Sequence, residues 1–220
     1  MIEIAGVVSS VRCQSPLHRK TPQATRRNLK TRLRAVFTCE MKRKKMMELF
    51  EFDLVFSLPE GSTHDAFALA DCIYVAGFDD AVIGTGQPGL LAASLECEGE
   101  DAETVIRQAA RAILPHLPAG SWLREVRPDL VSLADVAGRL QIKRQSLQKR
   151  PMPQPVTHGL YRVTEIFGVL TQQLTEKPGA RFDIDHAKPW FAAGKGAQRL
   201  NARLALGDLD AASLLDIAAA

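Results

Sequence analysis

The chain has 220 residues, 46% hydrophobic and 24% charged, with a formal net charge of +3, the balance of a globular chain of one large or two small domains. No apolar run approaches the ~20 residues of a membrane-spanning helix. Four scattered cysteines without a C-x-x-C pair argue against a disulfide scaffold or zinc module, and the absence of a signal-peptide pattern leads us to expect a cytoplasmic protein.

The mean charge hides a strong segregation. Residues 1–46 carry twelve Lys/Arg against Glu3 and Glu40, a net of +10. Residues 47–130 carry four Arg against fifteen acids, a net of −11; residues 131–170 carry six basic residues against Asp135 and Glu165, a net of +4; residues 171–220 are neutral. An acidic body beside a small basic module is the layout of a protein in which one part alone meets a polyanion. Residues 1–46 lack apolar periodicity. They read as a basic, disordered leader, or as an extension upstream of a start at Met46 or Met47; a basic arm adding non-specific DNA affinity is the competing reading.

In chain order, residues 49–58 alternate apolar and polar, a half-buried strand ended by Pro59. Residues 63–77 have helical spacing, with Phe67, Ala70 and Tyr74 beside Leu69 and Ile73, Thr63 as a cap and Gly77 as the stop. Residues 81–83 and 90–97 read as strands joined by the turn of Gly84, Gly86 and Gly89. That turn precedes a strand, not the helix N-terminus that a phosphate cradle needs. Residues 101–114 form a second helix with Val105, Ala109, Ala112 and Ile113 on one face, and residues 122–126 a last strand. The order strand-helix-strand-strand-helix-strand predicts an α+β fold of ferredoxin-like type. His64 has no nearby nucleophile, and Cys72 and Cys97 read as packing thiols. The acids Glu96, Glu98, Glu100, Asp101 and Glu103 lack the register of a calcium loop. No catalytic constellation, cofactor site or metal site emerges, so an enzyme is not expected.

Residues 131–170 are the informative stretch. Ser132 and Asp135 make a near capping box, and Leu133, Val136, Ala137 and Leu140 fall at i, i+3, i+4 and i+7, one apolar stripe. A second short helix follows, with Leu147 inward and Pro151 as its stop. Lys143, Arg144, Gln145, Ser146, Gln148, Lys149 and Arg150 contain no acid. Arg reads guanine edges and Gln reads adenine in the major groove, while Lys and Ser hold phosphates. Prolines 151, 153 and 155 prevent helix, His158-Gly159 turns tightly, and Thr164 starts a further helix carrying Ile166, Phe167 and Leu170.

These residues resemble the winged helix-turn-helix of the MerR, excisionase and AlpA-like phage regulators, over about 40 residues. The resemblance implies that Arg144, Gln145, Ser146, Gln148 and Lys149 face the major groove. It implies that His158, Tyr161 and Arg162 serve the wing, with Tyr161 equally placed to be core. Gln141 stands where the family turn usually has glycine, and Lys143 where it often has a capping serine.

Residues 175–194 read as polar loop, where Asp183, Asp185 and His186 suggest capping rather than a metal triad. Residues 198–207 read as helix, and 211–217 as a second with Leu214, Leu215 and Ile217 apolar. The expected organisation is therefore a leader (1–46), a ferredoxin-like domain (47–130), a winged helix-turn-helix (131–174), and a loop and helical tail (175–220) able to pair two subunits. The function expected is a duplex-DNA-binding transcriptional regulator, dimeric on half-sites ~34 Å apart, with any small-molecule effector unidentified. The rival readings are a ligand-sensing, ACT-like module whose basic segment binds a protein partner, and a small ferredoxin-like enzyme whose acid/base pair is not found.

Overall fold

Alternation of Phe50, Phe52, Leu54 and Phe56 with polar residues folds the start of the acidic half into β1 (Glu48–Ser57), with these four side chains at most 3% exposed. The computed structural model describes residues 47–60, 65–176 and 182–217. The leader expected at 1–46, Thr63 and His64 lie outside them.

After β1 come α1 (Ala66–Val75), β2 (Val82–Gly84), β3 (Leu90–Gly99), α2 (Ala102–Ile113) and β4 (Trp122–Arg127). The four strands form one antiparallel sheet in the order β2-β3-β1-β4. Together with six α-helices among the described residues, this makes a mixed α+β architecture. β1 is central, with Phe52 opposite Leu95 on one side and Leu54 opposite Val126 on the other. The opposite face of the sheet carries Glu51, Asp53 and Glu96.

Helix α1 is capped by Asp65, whose carboxylate accepts from the Ala68 amide at 3.0 Å, and ends where Gly77 takes φ of 95°. Leu69 and Ile73 are buried, but Phe67 and Tyr74, the other apolar positions at helical spacing, are 80% and 66% exposed. At 100° per residue these two lie on the side of α1 away from Leu69 and Ile73, while α6 (Lys188–Leu206) packs on β1, β4 and α2. Asp101 caps α2 through the Thr104 amide. Val105, Ile106, Ala109 and Ile113 are buried beneath α2, while Ala112, expected on that face, points to solvent.

The region read as loop at 175–194 is in part this long helix. Pro189, which resembles a breaker, sits in the first turn, where its missing amide costs nothing. Gly194 and Gly196 are there for close approach. A Cβ on Gly196 would lie 2.6 Å from the Glu103 amide nitrogen and 2.7 Å from the Ala102 carbonyl carbon, so α6 crosses the first turn of α2 nearly backbone to backbone. The expected helix at 211–217 is instead a turn in which Leu214 takes φ of 54° and is 1% exposed. Leu209 and Leu214 belong to the core under the sheet, and the Ala211 carbonyl accepts from the Leu123 amide at 2.9 Å. The tail thus spends its main apolar side chains inside its own fold, leaving Leu215 and Ile217 exposed.

A second apolar cluster gathers around residues 131–191. β5 (Leu130–Ser132), not anticipated from sequence, pairs antiparallel with β6 (Leu160–Arg162). Around this pair pack α3 (Leu133–Arg139), α4 (Arg144–Gln148) and α5 (Val163–Glu176). Helix α6 serves both clusters: Trp190 and Phe191 lie in the second, Ala193, Ala197 and Leu200 in the first. The side chain of Asn201 also fastens the two together. Its Oδ1 accepts from the Val126 amide and its Nδ2 donates to the Val126 carbonyl, both at 2.8 Å, so the amide stands in for a neighbouring strand at the edge of β4. Nδ2 also lies 3.2 Å from Asp129, which receives Arg162 at 2.9 Å.

Candidate nucleic-acid interface

The geometry of the basic stretch follows from its caps. Ser132 and Asp135 form a complete capping box: the Ser132 hydroxyl accepts from the Asp135 amide, and the Asp135 carboxylate accepts from the Ser132 amide at 2.9 Å. At the other end of α3 the Gln141 amide donates to Gly138 (3.1 Å) and the Ile142 amide to Ala137 (2.9 Å), the two bonds of a Schellman stop. Gln141 sits at its left-handed position with φ of 53°. A non-glycine residue there costs roughly 1–2 kcal/mol, which the turn tolerates because Ile142 and Leu140 are packed into the second cluster.

Helix α4 starts at Lys143 without a side-chain cap. It is anchored by Leu147, 0% exposed, in the buried cluster that also holds Val136, Ala137 and Ile166. With that one side chain inward, Lys143, Arg144, Gln145, Ser146, Gln148 and Lys149 are all exposed. Arg144, Gln145, Ser146, Gln148 and Lys149, expected to face outward, are exposed, while α4 ends at Gln148, three residues before the expected stop at Pro151.

The remaining expected site residues are placed differently from one another. Arg150 is half-buried, its guanidinium 4.5 Å over the Phe182 ring, and its Nε has no hydrogen-bond partner among the described residues. Arg162 donates to Asp129, and Tyr161 packs against the second cluster, which settles its place as core-facing. His158 is exposed at the tip of a hairpin turn closed by Thr157 and Leu160, with Gly159 at φ of 70°. Arg139, in the same basic stretch, is engaged inward: its guanidinium pairs with Glu51 of β1 and lies 5.5 Å from the Trp190 ring. Sequence reasoning missed this split. No acid lies between Asp135 and Glu165, yet Arg139 and Arg162 meet carboxylates from outside that window. Lys143, Arg144 and Lys149 have no carboxylate partner among the described residues.

The other sequence candidates take structural roles. Asp183 accepts from the Asp185 amide at 2.9 Å and His186 Nε2 lies 2.5 Å from the Arg139 carbonyl, while the N-cap of α6 is Ala187, with no side-chain cap bond. Capping of α6 by that Asp-x-Asp-His sequence is thus not what these residues do. Among the described residues no three His, Cys, Asp or Glu side chains are placed to hold a metal. Glu103 pairs with Arg199 and Arg203. Burial raises the Cys97 thiol above its ordinary pKa. Among the described residues no helix is long and apolar enough to cross a membrane.

Compared with models of known families, with curated proteins and with solved structures, the chain has no match.

Proposed function

We propose that residues 131–174 are a winged helix-turn-helix docking on duplex DNA, carried by a ferredoxin-like βαββαβ body, and that the protein is a transcriptional regulator acting by operator occupancy. The observation that carries this reading is the outward set of α4. A helix held by a single leucine offers two glutamines, a serine, an arginine and two lysines to solvent, from Lys143 to Lys149, with no acid among them. Arg144 and Gln145 have the hydrogen-bonding forks that read guanine and adenine edges, and Lys143 and Lys149 flank them at phosphate distance along a rod of about 7.5 Å. His158 at the hairpin tip is the wing's candidate for a backbone or minor-groove contact. Arg162 and Tyr161 support the wing from below, and Arg150 braces α4 against Phe182.

The body supports the reading by charge. Residues 47–130 carry a net of −11, so this part of the body repels DNA and favours an encounter through the basic α4 side. In this reading two copies act on two half-sites. The apolar groups available for their pairing are exposed ones such as Leu206, Leu215 and Ile217, since Leu209 and Leu214 are already used.

Selection of bound fragments from a random duplex pool tests the proposal. The expected result is an enriched motif whose retardation is lost in Arg144→Glu/Lys149→Glu. No enrichment, or retardation unchanged in the double variant, overturns it.

A further inference from the structure

A second surface, at the edge of the four-stranded sheet and opposite in charge to α4, has the form of a strand-addition site. β3 is ten residues long, but β2 covers only Ala92, Ala93 and Ser94. Before Val82 the chain turns away through Asp79 and Asp80. Among the described residues, the backbone groups of 95–99 that point away from β1 therefore have no strand beside them. A cleft of about 610 Å³ opens beside this edge and over the adjoining face of the sheet, lined by Phe78, Asp79, Asp80 and Val82 from β2 and the segment before it, and by Glu51, Glu96 and Glu98 from β1 and β3.

We propose that this edge is a docking groove for an extended peptide rich in lysine or arginine, which joins the sheet as a fifth strand beside residues 95–99. The inference is independent of whether α4 binds DNA. Main-chain hydrogen bonds to an open edge provide affinity in such complexes, and alternate side chains provide specificity. Alternate residues of a strand recur every ~6.6 Å. Glu96 and Glu98 share that spacing on one face, so a peptide with a cation at every second position meets both. Asp79 and Asp80 receive cations on the opposite wall, and Phe78 and Val82 cover their aliphatic stems.

Charge complementarity selects the partner. Among the described residues, the cleft is lined by five carboxylates and by no Lys, Arg or His. Glu51, which faces Glu96 across the β1–β3 pair, is met by Arg139. Glu96, Glu98, Asp79 and Asp80 have no ion-pair partner among the described residues. Carboxylates on an open edge also guard against edge-to-edge self-association. A pure guard predicts that no peptide binds, which makes the two roles separable.

The test is fluorescence anisotropy of labelled, end-blocked ten-residue peptides with the full chain. The probes are an alternating Lys-Val peptide, its Glu-Val counterpart, and two Lys-Val peptides N-methylated at odd or at even positions. Expected are saturable binding of Lys-Val, none of Glu-Val, and loss in one of the two N-methylated forms. Glu96→Lys/Glu98→Lys should weaken binding by about tenfold or more. Asp79→Lys/Asp80→Lys, on the other wall, is a second variant should the first misfold. Absence of saturable Lys-Val binding, equal binding of Glu-Val, or indifference to both methylation patterns overturns the proposal.

Discussion

Asn201→Ala removes the side chain that completes the edge of β4, and the structure sets its cost. Val126 is 0% exposed, and both its amide and its carbonyl are satisfied by the Asn201 carboxamide at 2.8 Å. Truncation leaves one buried donor and one buried acceptor unpaired. Each such group costs about 1–3 kcal/mol, toward the lower end if water enters the space vacated. The contact with Asp129 is longer, at 3.2 Å, and Arg162 still serves that carboxylate, so its loss adds little. The expected destabilisation is about 2–4 kcal/mol, read as a lower urea midpoint at unchanged slope. Asn201→Asp keeps the acceptor for the Val126 amide, loses the donor and puts a second negative charge beside Asp129. It should therefore destabilise too, and do so less below the carboxylate range than above it. A loss under about 1 kcal/mol in Asn201→Ala would refute the reasoning, since Val126 would then have to find its partners elsewhere.

Three further outcomes follow from the same geometry. Gly196→Ala should cost about 1–3 kcal/mol, because its Cβ meets the backbone of α2 at 2.6–2.7 Å; Gly168→Ala, in α5 with nothing within 4 Å, should gain up to about 1 kcal/mol from helix propensity, and equal effects in thermal melts would contradict this. Gln141→Gly relieves a left-handed residue in the Schellman stop and should stabilise by about 0.5–1 kcal/mol, whereas Gln141→Val should destabilise; the reverse order of melting temperatures would deny the strain. Asp216 is held below the ordinary aspartate range, first by its hydrogen bond from Arg203 and then by the neighbouring charges of Arg203 and Arg107. A depressed carboxylate stabilises the fold above its unfolded value, near pH 3.9, and loses that contribution as pH falls through the lower folded value. The stability gap between the wild type and Asp216→Asn should therefore close in acid; a gap constant from pH 6 to pH 2 would contradict it.

Periodicity made much of this molecule legible before its structure. The alternation around Phe50 to Phe56, the stripe of Leu133, Val136, Ala137 and Leu140, and the turns at Gly77 and Gly159 are local signals, and each corresponds to a local element. What the residues concealed was decided by distant neighbours. Gly194 and Pro189 read as loop because their roles, close approach to Val163 and a place in a first turn, exist only once α6 is packed. Phe67 and Tyr74 stay outside because they lie on the side of α1 opposite Leu69 and Ile73. Leu214 is buried through a turn that no helical periodicity describes. Within the candidate interface, the outward set of α4 could be read from one inward leucine. The partners of Arg139 and Arg162 could not, because Glu51 and Asp129 belong to the acidic half of the chain.

The most direct test of the central claim is the salt dependence of duplex binding. Lys143, Arg144 and Lys149 free to neutralise phosphates imply a log–log slope of about −2 to −3 per subunit. Lys149→Gln should make that slope shallower by about one, and Arg139→Gln, whose charge is engaged with Glu51, should leave it unchanged. Equal changes in the two variants, or affinity indifferent to salt, would contradict the assignment of α4 as the face that meets DNA.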